Sequence, residues 1–314
     1  MINRKITASE SGKRLHRYLR NLMPNLPLGQ IYKMIDNGKA KVNGKRKNQN
    51  YELTVGDELM LYVEESVFKE ASIGQKKAKY VGVNAKIDVL HEDEELLVVV
   101  KPAGMLTHPD RSDQKGTLIN RVHAYLYRNG ELDSPLFMPA TANRLDRNTS
   151  GIVLVGKTAG MLHRLNEWIR KHELQKYYLT IVEGRLTGEG EMKGELVRDE
   201  RNNRTRVLDP RAGRPDDVLA KSAETRYRAL QTGDAYSLVE IELISGRTHQ
   251  IRTHFQHIGH SLLGDIKYGG KRFGDVNHQL LHAWRIVLPD GREFKAPLPA
   301  KMRSVADKLG LELS

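Results

Sequence analysis

No cysteine occurs in the 314 residues, which excludes disulfides, thiol nucleophiles and cysteine-ligated metals. Long hydrophobic runs are missing too. The longest, Leu96 to Val100, is closed off by Glu95 and Lys101, far short of the roughly 20 residues that cross a bilayer. Met1 to Leu19 is studded with Arg and Lys and holds no apolar core of a secretory signal, so the cytoplasm is the expected compartment. Acid is in short supply, with 39 Asp and Glu against 51 Lys and Arg, a net charge of +12. That excess points to a polyanionic partner, because clustered cations gain free energy by releasing counterions, and RNA, DNA and an anionic membrane surface all fit. What is present, 39% hydrophobic residues, suffices for one large domain and a small one.

The charge is uneven. Residues 1 to 60 hold seven Lys and five Arg against five acids, a net of +7, so more than half the excess sits in a fifth of the chain. Leu15, Tyr18, Leu19 and Leu22 recur at helical spacing, and Ile31, Met34 and Ile35 mark a second short helix that Gly38 can end. Val42-Asn43-Gly44-Lys45 then reads as a type I′ hairpin turn, and Val55-Gly56-Asp57-Glu58 precedes a strand over Leu59 to Val63. Lys13, Arg14, Arg17 and Arg20 on the first helix, with Lys33, Lys39, Lys41, Lys45, Arg46 and Lys47 beyond it, give this small domain a basic face. Residues 64 to 86 lack a sustained period and read as a linker or irregular connection. From Ile87 onward, strand-like runs at Leu96 to Val100, Ile152 to Val155, Tyr178 to Val182 and Tyr236 to Ile244 alternate with helices, the clearest over Lys157 to Lys171. The class is α+β, with a mixed sheet.

Three loops carry the polar residues suited to chemistry. Lys101-Pro102-Ala103-Gly104 closes the first strong strand as a turn, and His108-Pro109 follows it. Asn143-Arg144-Leu145-Asp146-Arg147-Asn148-Thr149-Ser150-Gly151 sets one carboxylate between two guanidiniums at the mouth of a buried strand, where residue types alone favour a capping or turn aspartate. Gly246-Arg247-Thr248-His249-Gln250-Ile251-Arg252 leads into a helix whose apolar face is Ile251, Phe255 and Ile258, with Arg252 off that face. His249, His254 and His257 invite a zinc reading, but no HExxH and no cluster of acids accompanies them, so no metal is expected.

Together these stretches resemble the RluA-type pseudouridine synthases, in particular the RluC/RluD-like branch that carries an N-terminal S4 domain. The S4 likeness rests on Arg14-Leu15, Arg17-Tyr18-Leu19, the Ile31 to Ile35 helix, Val42-Asn43-Gly44 and Val55-Gly56-Asp57. The synthase likeness rests on the Asp146 loop, whose family pattern is His-Arg-Leu-Asp, two variable residues and Thr-Ser-Gly. Lys101 to Gly104 with His108-Pro109, Lys176-Tyr177-Tyr178, the Gly246 to Arg252 stretch with Gly264-Asp265, Leu281-His282-Ala283 and Ala296 to Pro299 agree in order. One position departs from the pattern. The family histidine is Asn143 here, which hydrogen-bonds but does not titrate near neutral pH, so it is expected to shape the loop.

The resemblance implies a small α/β S4 RNA-binding domain over 1–64, a linker over 65–86, and a catalytic domain over 87–314. The last is expected as a mixed, largely antiparallel sheet with flanking helices and a central cleft. It also implies Asp146 as catalytic carboxylate, Arg252 as its basic partner and Tyr178 as the active-site tyrosine. RNA contacts would come from Arg144 filling the space of a flipped base, from Arg247, Lys101 and His108, and from Arg14, Arg17, Lys33, Lys39 and Lys45 of the first domain. No cofactor, metal or membrane is expected, and the protein is expected as a monomer acting on structured RNA, 23S ribosomal RNA or pre-ribosomal particles first. Transfer RNA is the nearest alternative. A non-catalytic assembly factor is a second one, opposed by the presence of Asp146, Tyr178 and Arg252 together. A nucleosidase would ordinarily need a second positioned carboxylate, which no motif supplies.

Overall fold

A computed structural model describes residues 1–6, 10–80, 82–132, 137–200, 202–208 and 219–312. The chain divides into two compact units, one of residues 1–86 with 120–140 and 157–161, the other of 87–119, 141–156 and 162–314.

In the first unit, β1 (Ile2–Lys5), α1 (Leu15–Leu22), α2 (Leu28–Asp36), β2 (Ala40–Val42) and β3 (Glu58–Leu61) surround one core. The helical spacing seen in the sequence is the buried face: Leu15, Tyr18, Leu19 and Leu22 of α1, with Ile31, Met34 and Ile35 of α2. The strands form an antiparallel sheet in the order β1-β3-β2. Asn43 and Gly44 both take positive φ, 53° and 73°, as a type I′ turn requires. Asp57 holds that corner, accepting hydrogen bonds from Asn43 and Tyr51 side chains and from the Thr54 amide. The connection read as irregular is instead a helix, α3 (Glu65–Tyr80), with residue 81 outside the described residues. Its Ala71 is buried in the N-terminal core and Phe68 packs against that core, so an apolar contact only four residues long supplies what the missing period did not.

The second unit is built on an eleven-stranded sheet. Its strands are β4 (Asp88–Glu92), β5 (Leu96–Lys101), β6 (Ala140–Thr141), β7 (Ser150–Gly156), β8 (Gln175–Glu183), β9 (Glu189–Asp199), β10 (Arg204–Val207), β11 (Ala220–Thr232), β12 (Tyr236–Leu243), β13 (Leu281–Val287) and β14 (Glu293–Lys295). The order is β10-β9-β11-β12-β8-β13-β7-β5-β4, with β14 on β13 and β6 on β7. Every pairing along that path, and that of β14 with β13, is antiparallel except β13 with β7. All seven residues of β7 are buried and β5 nearly so, as expected of strands covered on both faces. Helix α4 (Leu118–Arg128) falls mostly in the first unit, whereas α5 (Ala159–Arg170) falls mostly, and α6 (Gln250–His257), a 3-10 turn (Ile266–Tyr268) and α7 (Ala300–Lys308) fall wholly, in the second. Met302, Val305 and Ala306 of α7 pack on Leu179, Ile181 and Leu238 of the sheet. Among the described residues no helix is long and apolar enough to cross a membrane.

Candidate active site

The loop between β6 and β7 places Asp146, and it is pinned from both ends. At its start the Asn143 carboxamide donates to the Ile152 carbonyl at 3.1 Å and accepts from the Leu154 amide at 2.8 Å, so the side chain is spent on the β7 backbone. In mid-loop the Thr107 hydroxyl donates to the Leu145 carbonyl at 3.0 Å and accepts from the Leu145 amide at 3.2 Å. Beyond Asp146, the Lys101 ammonium donates to the carbonyls of Pro102, Met105 and Arg147 at 3.0, 2.7 and 3.0 Å. The Thr149 amide turns back to the Asp146 carbonyl at 3.1 Å. A carboxylate on a loop thus acquires the fixity of one on a strand.

Lys101 therefore corrects the expectation that it contacts RNA. Its side chain is fully buried, and three carbonyls take its three donors. Burial pulls its pKa down to about 7, opposed by the charge of Asp146.

The second wall is the β12–α6 connection. Gln250 fixes it, donating to the Glu224 carbonyl and the Thr225 hydroxyl and accepting from the Arg247 amide and the Ser245 hydroxyl. Arg252 follows on α6, off the apolar face of Ile251 and Phe255, and is buried. Its Nε and Nη2 donate to the two oxygens of Asp265, each at 2.7 Å, and Asp265 is only 1% exposed. The remaining Nη1 reaches Asp146 Oδ2 at 3.4 Å. Asp265 is thus the tighter partner of Arg252, and Asp146 the looser one. Burial opposes the guanidinium's charge, but the bonds it donates to Asp265 and the charges of Asp265 and Asp146 outweigh it and raise the pKa. Tyr268 lies under the same guanidinium, 4.6 Å from its ring centre.

Asp146, Arg144, Arg147, Arg247, Arg252, Lys267 and His108 line one cleft of about 730 Å³. Beside it a smaller hollow of about 80 Å³ is lined by Asp146 and Arg252 together with Tyr178, Leu243, Ile251 and Leu281. The shape is a cationic trough leading to a partly apolar well with the carboxylate at the junction. Tyr178, on β8, is buried, and burial followed by the charge of Asp146 raises its pKa, so the phenol stays protonated. His108 bonds Thr141 at 2.8 Å, and burial, then Arg144, lowers its pKa. Arg144 and Arg247 are exposed, with Arg247 Nε on the Ser222 carbonyl at 2.9 Å. Arg14, Arg17, Lys33, Lys39 and Lys45 are all exposed in the other unit.

Thr107, Asp265 and Tyr268 were not singled out as site residues from the sequence, and His249 only as a zinc candidate. A buried arginine demands a carboxylate, and the lone acid after Gly264 was the available signal. Nothing in the sequence marks Thr107. Among the described residues no group of three or more His, Asp or Glu could hold a metal ion, and His254 is instead bonded to Thr225 at 2.9 Å.

A family model described as RNA pseudouridylate synthase matches residues 95–257, just over half of the 314 residues, and the S4 domain model matches residues 13–59. An uncharacterized RNA pseudouridine synthase of Bacillus subtilis is 31% identical over 97% of each chain. Ribosomal large subunit pseudouridine synthase C of Vibrio cholerae is 31% identical over 95% of this chain and 94% of its own. The solved structure of human RNA pseudouridylate synthase domain containing 4 superposes with a TM-score of 0.61 at 20% identity, covering 76% of this chain and 98% of that one, a likeness of fold.

Proposed function

The chain belongs to the RNA pseudouridylate synthase family and is an RNA pseudouridine synthase with an S4 domain, and from that premise we propose that Asp146 is its catalytic carboxylate and 23S ribosomal RNA its substrate. The observation that carries the assignment is the setting of Asp146. Among the described residues it is the carboxylate that lines both a cationic cleft and a partly apolar well, partly exposed and on a loop tied down by Lys101, Thr107 and Asn143.

Isomerisation breaks the bond from uracil N1 to ribose C1′, turns the base and forms a bond from C5 to C1′. N1 ends with a proton and C5 loses one, so composition is unchanged. Asp146 acts at the ribose as the glycosidic bond breaks, with the Arg252 guanidinium 3.4 Å from its Oδ2. Tyr178, protonated in the hollow, faces the turned base as a stacking surface and as a hydroxyl near C5. A base inside folded RNA has to leave its stack to reach this depth, and exposed Arg144 at the rim fills the space left. Arg247 and His108 hold flanking phosphate and ribose, and the basic face of the S4 domain supplies further affinity. The ribosomal substrate is supported by that domain and by relatives named for the large ribosomal subunit.

The test is to incubate the purified protein with unmodified 23S RNA and with unmodified transfer RNA, and to map pseudouridines in each. The parent should modify discrete sites in 23S RNA, and Asp146→Asn none while binding the RNA with near-parental affinity. An active Asp146→Asn overturns the carboxylate assignment. Modification confined to transfer RNA overturns the substrate.

A further inference from the structure

His249 sits at the lip of both hollows and has so far been given no task. Its backbone is left-handed, φ 56° and ψ 19°, at the N-cap of α6. That conformation is uncommon outside glycine, and it is maintained here by the tightly bonded residues on either side of it. The ring is nearly buried, with 9% of the side chain exposed. One nitrogen, Nδ1, lies 2.8 Å from the Tyr268 hydroxyl, and the other, Nε2, lies 3.8 Å from Asp146 Oδ2. The two rings meet edge to face at 5.5 Å.

The proton on this imidazole can be assigned from the bonds around Tyr268. That residue is 1% exposed, so its hydroxyl has to find its partners inside the protein. Among the described residues it has two. The Thr205 amide donates to it at 2.8 Å, and His249 Nδ1 stands at the same distance. The amide can only donate, so the phenolic proton has one acceptor, His249 Nδ1. The imidazole is neutral, since burial pushes its pKa down to about 4 against the pull of Asp146 and with the repulsion of Arg252 and Lys267. A neutral imidazole that accepts at Nδ1 carries its proton at Nε2. The charged groups facing it are therefore Asp146 and Asp265 on one side of the balance and Arg252 and Lys267 on the other.

We propose that Tyr268 and His249 form a relay that locks the Nε2–H tautomer of His249 and aims that N–H at Asp146 Oδ2, making His249 a positioning residue for the carboxylate. The inference rests on the reading of Asp146 as the catalytic group. Arg252 Nη1 approaches the same oxygen at 3.4 Å, so two donors converge on Oδ2. Oδ1 has no polar partner among the described residues and is left to face the ribose. The 3.8 Å separation is just outside hydrogen-bond range, and such contacts tighten when substrate fills a site. Tyr268 also stacks against Arg252, so one ring sets the direction of both donors.

The test uses the full chain with His249→Asn, His249→Gln, Tyr268→Phe and Asp146→Asn, measuring kcat, KM and the pH dependence of kcat on an RNA substrate, with folding checked by circular dichroism. Asparagine tolerates the left-handed backbone and keeps an amide near Tyr268, but it is too short to reach Asp146. Glutamine is less suited to that backbone and can present an N–H close to the place of Nε2. The expected result is a fall in kcat of roughly 10–100-fold for His249→Asn with KM little changed. His249→Gln should recover part of that loss. The acidic limb of the profile should move to higher pH in His249→Asn, since one of the two donors aimed at Asp146 Oδ2 has been removed. Tyr268→Phe should lower kcat in the same direction and add nothing further in the His249→Asn background. A purely structural role predicts the reverse order, asparagine better than glutamine, and that order overturns the proposal. So do an unmoved pH profile in His249→Asn and additive losses in the double variant. If Asp146→Asn is inactive while His249→Asn is parental, the relay alone fails. If Asp146→Asn is active, the reading of Asp146 itself falls.

Discussion

Buried cations at this site do different work from the one their charge suggests. Lys101 looks like a phosphate ligand in the sequence, yet its ammonium is enclosed and shared among three carbonyls. Removing it leaves those carbonyls without donors in a dry site, so Lys101→Met should cost at least about 2 kcal/mol of stability. Urea unfolding measures that, and the affinity of the folded fraction for RNA should hardly change, the opposite of what a phosphate ligand would show. Buried histidines give the molecule a pH signature as well. His249, His254 and His282 are each pushed from the ordinary 6.5 to about 4, burial being the main cause. The unfolded chain binds protons at these rings near pH 6.5 and the folded one resists until about 4, so their contribution is complete above about 6.5 and is lost as pH falls toward 4. Urea midpoints should decline over that interval, above the range where Asp93, lowered to about 2, loses its own contribution. His282→Gln should flatten the decline by taking away one of the three rings, and an unchanged slope would remove His282 from the account.

Among the elements, β7 joins the Asp146 loop to the sheet, and Gly151 is where that junction is tightest. Its φ is +120°, and a Cβ there would lie 2.2 Å from the Ala283 carbonyl oxygen and 2.6 Å from its nitrogen. Both neighbouring atoms are backbone of β13, the parallel partner of β7, so neither can swing aside. Gly151→Ala should therefore cost roughly 3 kcal/mol and lower kcat through displacement of the Asp146 loop, read from thermal unfolding and single-turnover rates. The Thr-Ser-Gly pattern displayed this glycine but not its reason, since the close approach comes from a strand about 130 residues further along the chain. The same division runs through the fold. Buried strands such as β5 and β7 were legible because continuous apolar runs report burial directly. The β9 to β11 stretch was not, because its half-exposed strands alternate charged residues such as Glu189, Glu191 and Lys193 with glycine and partly buried positions rather than with an apolar face. Helix α3 escaped for a related reason, a single short contact at Phe68 and Ala71 being too little for a period to show. In the site, Asp146 and Arg252 stood in motifs, whereas Asp265's role, the Thr107 staple and the orientation of His249 exist only once distant segments meet.

For the whole molecule, the net charge of +12 is a statement about affinity, and its location decides which part of the protein senses salt. Cutting the chain after residue 64 would strip Ala71 and Phe68 of α3 from the core they pack on, confounding charge with folding. The first compact unit also takes in residues 120–140 and 157–161, which makes any deletion a blunt instrument. Neutralising exposed cations in the full chain avoids both problems. Arg14, Arg17, Lys33, Lys39 and Lys45 are exposed, while α1 and α2 bury other residues, so replacing all five with Gln should leave the core intact. Each phosphate that is no longer neutralised makes the plot of log affinity against log salt shallower by about 0.7–0.9, so removing all five cations corresponds to a change of about 3.5–4.5 in slope. KM for a long ribosomal RNA fragment should rise most at physiological salt, and kcat at saturating RNA should change far less, because Asp146, Tyr178 and Arg252 belong to the other unit. Filter binding across a salt series gives the slope, and steady-state turnover on the same RNA gives the split. A slope equal to the parent's would mean that these side chains do not meet phosphates at all, and the affinity would then have to come from the cations that line the cleft around Asp146.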